Sequence, residues 1–425
     1  MRERDPAIER LRRSLLRMQG SGARFAATHK EPALGLALDV EGVGRCALPL
    51  GPEDIAALRE LAEPSPFGHR DQTLQDPSVR RSWEIPGSAV SLDWGARFAR
   101  GLDEMLEALA VDPAGAPEAT LEKLLIYGEG DFFAPHRDSE KDPSMWGTLV
   151  VVLPTRHRGG DLVVEHAGRS FRWAPAGDAS SGYLSFLGFF ADCLHTVQPV
   201  EDGHRVALTW SLRSAATELP DAADGAADLR RSLEEVLVDD ARPWVACLLD
   251  HQYSIGSSSW RRLKGADRQR AKAVRAAAAE LDCACFLALA DVHEWYSYDV
   301  EDQGWTEGSR SVATRRDFGA FQGAALTLDH WIDEQGRACA GCDEEVEDDW
   351  IVATVDSSQR TPYDLVAEPW TGNEGGTAEQ WYHQAALVIV PRSGALFAEI
   401  AAPLEPDPPA PEAAAPRRSV RRRKR

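Results

Sequence analysis

Residues 128–154, GEGDFFAPHRDSEKDPSMWGTLVVVLP, decide the reading of the fold. His136 and Asp138 stand two residues apart, just ahead of a β-branched apolar run that has the composition of a buried strand. On an extended chain residues i and i+2 face the same way, so an imidazole and a carboxylate are offered to one point in space.

Working outward, residues 121–212 break into short β-rich segments separated by turns: KLLIYG, WGTLVVVLP, DLVVEHAG, SFRWAP, GYLSFLGF, HTVQPV and RVALTWSL. That spacing predicts an antiparallel sandwich or barrel. Residues 1–110 read as a mixed helical region packing on this core, with helices at the start, at GPEDIAALRELAE and at DWGARFARGLDEMLEALAV. Between the last two lies PSPFGHRDQTLQDPSVRRSWEIPG, a long polar loop; Arg80, Arg81 and Trp83 in it are either substrate contacts or part of a solvated loop. Residues 230–400 form a second, α/β region of unassigned role. Residues 403–425, Pro/Ala-rich and then basic, read as a disordered tail.

Composition bounds the function. The chain has 425 residues, 43% hydrophobic and 27% charged, enough for a sizeable core in one large or two medium domains. A formal net charge of −21 disfavours the body as a phosphate-backbone binder. The tail PRRSVRRRKR is the local exception, a tether to nucleic acid, an acidic partner or an anionic membrane surface, or a solvated end. Seven cysteines, an odd number, are no disulfide framework, and neither a signal-peptide core nor a transmembrane segment is visible. The expected location is cytoplasmic.

A third ligand candidate is His195 in GFFADCLHTVQPV, which a β meander could bring beside the first two. Two histidines and one carboxylate with open coordination positions suit non-haem Fe(II); zinc competes, but the HExxH pattern usual for such zinc sites is absent. Arg205, in EDGHRVALTW, offers a planar fork for a carboxylate, and Tyr127, in KLLIYG, offers a hydroxyl to the same group. CAGC at Cys339–Cys342 is half a zinc pattern with no second CxxC and reads as structural or incidental. His157 and His166 read as lying outside the sheet, and His293 and His383 as aromatic-rich packing with polar tips.

With these residues in this order, the region resembles the Fe(II)- and 2-oxoglutarate-dependent dioxygenases, in particular the prolyl-4-hydroxylase-like branch. The resemblance rests on YGEGDFFAPHRDSE, GTLVVVLP, GGDLVVEH and DCLHTVQPVEDGHRVALTW. It implies an α+β chain whose residues 111–215 form a double-stranded β-helix (jelly-roll) catalytic core. It implies that His136, Asp138 and His195 bind iron and that Arg205, with Tyr127, binds 2-oxoglutarate. It further implies consumption of O2, release of succinate and CO2, and hydroxylation of an unactivated C–H bond, with ascorbate helpful in vitro. The retained Asp138 favours hydroxylation over halogenation. Many prolyl hydroxylases carry Lys where this chain has Arg205, so the substrate stays open: a protein or peptide side chain, or a small metabolite. Two alternatives stand beside this: a catalytically degenerate scaffold that kept the fold, and a nucleic-acid base demethylase, which the acidic body disfavours.

Overall fold

The computed structural model describes residues 5–18, 24–69, 72–138, 142–217, 226–239, 242–298, 318–342, 346–347, 350–355, 360, 362, 364–368 and 376–402. The basic tail lies outside them.

The β-rich segments expected between 121 and 212 are strands, distributed over two antiparallel sheets. The larger runs in the order Ala26–Pro32, Tyr183–Phe190, Met145–Val152, Arg205–Arg213, Glu118–Tyr127, Trp83–Pro86 and Glu63–Pro64. The smaller runs Arg169–Trp173, Leu162–His166, Leu194–Val197, Phe132–His136 and Arg80–Arg81. Met145–Val152 is central and buried along its whole length, which its apolar run without alternation requires. Both sheets feed one apolar core, Ile126, Val151, Phe189 and Leu208 from the larger and Phe133, Leu162, Val164 and Val197 from the smaller. The helix Gly95–Ala108 lies over Ala26–Pro32 and Tyr183–Phe190. Its Gly101 is required by packing, since a Cβ there would sit 2.6 Å from the ring of Phe186.

The long polar loop expected before the core is largely built into these sheets. Arg80–Arg81 extends the smaller sheet and Trp83–Pro86 the larger, so the stretch bridges both.

The C-terminal lobe is built on a separate sheet, ordered Val346–Glu347, Phe318–Ile332, Cys283–Tyr298, Gly376–Pro391, Val245–Leu248 and Ile351–Ala353, with Asp364–Glu368 also on Gly376–Pro391. Alternation along Cys283–Tyr298 sorts its residues between two cores. Cys283, Cys285 and Leu287 pack with the helices Ala226–Glu234 and Gly265–Glu280, whereas Ala284, Phe286 and Ala288 pack with Trp244 and Trp331. Cys339 and Cys342 are buried in the second of these cores, and none of the seven cysteines is in a disulfide.

One part of residues 1–110 departs from the expected packing on the core. The helix Pro6–Arg17, with an apolar stripe of Ile8, Leu11 and Leu15, joins the C-terminal lobe and packs against Ala226–Glu234. No helix among the described residues is long and apolar enough to cross a membrane.

Candidate metal centre and anion pocket

His136 and His195 meet because they are register partners. Phe132–His136 pairs antiparallel with Leu194–Val197, an irregularity after Phe133 lets the pairing resume at His136 opposite His195, and the ring centroids lie 4.0 Å apart. Asp138 follows two residues on, with its Oδ2 3.9 Å from His195 Nε2. Ligand atoms of the three lie within 4.8 Å of one another.

Each imidazole is oriented through its other nitrogen. His136 Nδ1 lies 2.9 Å from the carbonyl of Ala134 and His195 Nδ1 3.1 Å from that of Cys193, so each Nδ1–H donates to backbone and Nε2 keeps a lone pair. Thr148 Oγ1 donates to Asp138 Oδ2 at 2.5 Å, fixing the carboxylate. Burial and the neighbouring His195 push the His136 imidazole down to about 3, which keeps it neutral, the form that binds metal. Phe133 stacks on His136 at 3.4 Å, and the Arg80 guanidinium lies over Phe133 at 4.4 Å. The site is half-open: His195 is buried, and His136 and Asp138 are partly exposed. Two imidazoles and one carboxylate, with one side left open, fit divalent iron.

Arg205 and Tyr127 are likewise partners across strands, Arg205–Arg213 on Glu118–Tyr127, and the guanidinium carbon lies 5.3 Å from the phenol ring. Arg205 is 1% exposed, and its Nε and Nη2 have no hydrogen-bond partner. Asp161, whose charge Arg205 feels, is itself paired with Arg172 at 2.7 Å. A buried guanidinium left in that state costs several kcal/mol, of order 3–5, unless an anion joins it. The backbone makes room for it: Gly160 has φ +68°, and a Cβ there would lie 2.8 Å from Arg205 Cδ.

His157 is a residue the sequence reading placed wrongly. It is buried rather than outside the sheet, because His157–Gly159 pairs with Val200–Gly203 and folds inward beside Arg205. Its Nδ1 is 3.3 Å from Thr155 Oγ1 and its Nε2 has no partner. Burial, then the charge of Arg205, lower it to about 4, so it is neutral at ordinary pH. His166 is also buried, against the expectation, and belongs to a second cluster with Asp192 and His251. His293 stacks on Trp381 at 4.5 Å with Glu379 at 2.8 Å, while the His383 side chain is 65% exposed. In the upstream stretch, Arg80 is buried and donates to Ser82 Oγ and the Pro66 carbonyl, Arg81 donates to the Gly130 carbonyl, and Trp83 carries the Arg59 guanidinium at 3.1 Å. These side chains brace the two sheets, which is not what a solvated loop does.

No protein-family model matches the chain, and no curated protein does. Solved structures that it resembles include 2-oxoglutarate and Fe(II) oxygenases, prolyl hydroxylases among them. An oxidoreductase of the 2OG-Fe(II) oxygenase family from Burkholderia pseudomallei matches at 16% identity over 48% of this chain and 92% of its own, with a TM-score of 0.26. A prolyl hydroxylase from Trichoplax adhaerens, solved with a hypoxia inducible factor peptide fragment, matches at 16% over 49% and 90%, with a TM-score of 0.30. A Pseudomonas putida prolyl-4-hydroxylase matches at 18% over 49% and 100%, with a TM-score of 0.28. These are loose likenesses.

Proposed function

We propose that the chain is an Fe(II)- and 2-oxoglutarate-dependent dioxygenase that hydroxylates a C–H bond of a protein, peptide or small-molecule substrate, its two N-terminal sheets being the double-stranded β-helix of that class. The observation that carries the reading is the buried, unpaired guanidinium of Arg205 in the same core as a His/Asp/His set. One feature calls for a carboxylate and the other for a divalent metal, and a dicarboxylic keto acid would supply a group for each.

His136, Asp138 and His195 would hold the metal, and Thr148 and the carbonyls of Ala134 and Cys193 fix the orientation of those side chains. Arg205 pairs with the distal carboxylate of the keto acid. Tyr127, its ring 5.3 Å from the guanidinium carbon, and His157, which feels the charge of Arg205 and whose Nε2 has no partner, would supply further donors to that carboxylate. When bound, iron with 2-oxoglutarate supplies oxygen activation, and succinate and CO2 are the co-products. The apolar shell of Phe133, Val164 and Phe189 keeps bulk water from the buried side of the metal ligands.

The test is anaerobic titration of the purified protein with Fe(II) and then 2-oxoglutarate, followed by the metal-to-ligand charge-transfer absorption, and succinate release on admitting oxygen. The reading expects the absorption in the wild type, its loss in His136→Ala, and retained iron with weakened 2-oxoglutarate binding in Arg205→Leu. If neither ligand binds the wild type, the catalytically degenerate scaffold takes its place.

A further inference from the structure

We infer that the C-terminal lobe is a working part of the metal site, and that Asp192 is the positioning residue that transmits its grip to Arg137 and His195. This rests on the dioxygenase reading above and assigns a role to a lobe that the reading leaves without one.

The turn after Tyr183–Phe190 carries Asp192 and Cys193 just ahead of His195. One of its carbonyls bonds a proposed ligand and another bonds the residue between two of them. The carbonyl of Asp192 accepts from Arg137 Nε at 2.9 Å, and Arg137 is the residue between His136 and Asp138. The carbonyl of Cys193 accepts from His195 Nδ1 at 3.1 Å. All three proposed ligands are thus tied to one turn or flank a residue tied to it.

The same turn is held from its other side by the lobe. The Asp192 carboxylate receives the backbone N–H of Gln252 at 3.1 Å, His251 Nδ1 at 3.1 Å from both oxygens, and Lys264 Nζ at 3.4 Å. Lys264 is anchored in turn by the carbonyl of Gln252 at 3.2 Å. Asp192, His251 and Lys264 are all buried, with side-chain exposures of 8%, 4% and 3%. Burial alone would raise the Asp192 carboxyl, but Lys264 and His251 outweigh it and hold the group well below the ordinary carboxylate range, so it stays ionised. The lobe meets the N-terminal sheets here around a cavity of about 200 Å³ lined by Arg137, His166, Asp192, Asp250, Arg360 and Gln384.

His166, Asp192 and His251 also have the residue types and spacing of a metal site. Two features argue that an ammonium serves here instead. Lys264 already supplies the positive charge at Asp192, and the two imidazoles are stacked, 4.2 Å apart and 24° from parallel, so their in-plane lone pairs do not converge on one point.

The experiment uses full-length protein and four variants: Lys264→Met, Lys264→Arg, Asp192→Asn and Arg268→Gln. The last breaks a different ion pair between lobe and N-terminal region, Arg268 to Asp112 at 2.9 Å, without touching the turn. Loss of a partner that orients a metal ligand costs roughly tenfold or more in metal affinity. Lys264→Met and Asp192→Asn are therefore expected to weaken anaerobic Fe(II) binding by about tenfold and to shift the charge-transfer band of the 2-oxoglutarate complex. Lys264→Arg should restore both, and Arg268→Gln should leave both unchanged even where it lowers the melting temperature. Should Lys264→Met fail to fold, Asp192→Asn, which keeps the side-chain volume, carries the test. Variants that lose stability but keep wild-type iron affinity and band would overturn the inference and leave the dioxygenase reading standing. A second bound metal equivalent that disappears in His251→Ala would also overturn it. A wild type that binds no iron removes the dioxygenase reading and this inference together.

Discussion

Among the described residues the molecule gathers two sets of two imidazoles and one carboxylate, and they differ in where the imidazole nitrogens are spent. Around Asp138 the structure places a hydroxyl, from Thr148, and two imidazoles whose Nδ1 atoms are committed to backbone carbonyls. Around Asp192 it places an ammonium, a backbone N–H and an imidazole that turns its Nδ1 to the carboxylate itself. The lesson is that ligand type and spacing do not make a metal centre. What counts is where the second nitrogen of each imidazole is spent.

That contrast is broken most directly by removing one imidazole from each set. His136→Ala is expected to lower Fe(II) affinity by at least about 100-fold, as loss of one of three ligands should, and His166→Ala to leave metal stoichiometry unchanged by elemental analysis. Equal losses in both variants would end the distinction. Next in size is Arg205→Leu, which removes the buried partner proposed for the keto acid. A weakening of roughly 30-fold or more in 2-oxoglutarate affinity is expected, with iron affinity unaltered, both read by calorimetry. Thr148→Val sharpens the comparison by making Asp138 less constrained: about a tenfold loss of iron affinity is expected with little change in melting temperature.

A separate expectation concerns acid stability. His157 and His166 sit at about 4 and about 3 when folded, below the ordinary histidine value, so the unfolded chain takes up their protons first. Their contribution is intact above about pH 6.5 and is lost as the pH falls toward those folded values. Each costs up to about 1.4 kcal/mol per pH unit on that slope. In denaturant melts between pH 7 and 5, His166→Phe should flatten the decline; an unchanged slope would mean that this imidazole is not buried neutral.

How much of this the residues disclosed depends on range. The pair at 136 and 138 and the buried run after it are local, and period-2 alternation suffices to read them. His195 and Arg205 were legible as the first residues of later β segments, but their partners are facts of register, His136 opposite His195 and Tyr127 opposite Arg205. His166 could have been placed by parity, since it follows Leu162 and Val164 on the buried side of its strand. His157 could not, because it is turned inward by pairing with Val200–Gly203, whose EDG has the composition of a turn. Asp192 and Lys264 were out of reach altogether. Their pairing joins residues 72 apart across a lobe boundary, and neither stands in a pattern that points to the other.

The docking of the helix Pro6–Arg17 onto the C-terminal lobe sets an order of events in folding. Strands between residues 26 and 213 share one core and can condense among themselves, but the helical face of the second lobe stays open until the first helix of the chain returns to it. Contacts such as Arg10 to Glu235 span 225 residues. Closing a loop of that length is an entropic toll that only the finished lobe repays, and non-local closures of this kind slow folding. Pulse-labelled hydrogen exchange should therefore find amides of strands 145–152 and 205–213 protected before those of 245–248 and 283–298. Until closure, Ile8, Leu11 and Leu15 form an uncovered apolar stripe, the kind of transiently exposed surface that makes partly folded chains prone to aggregate.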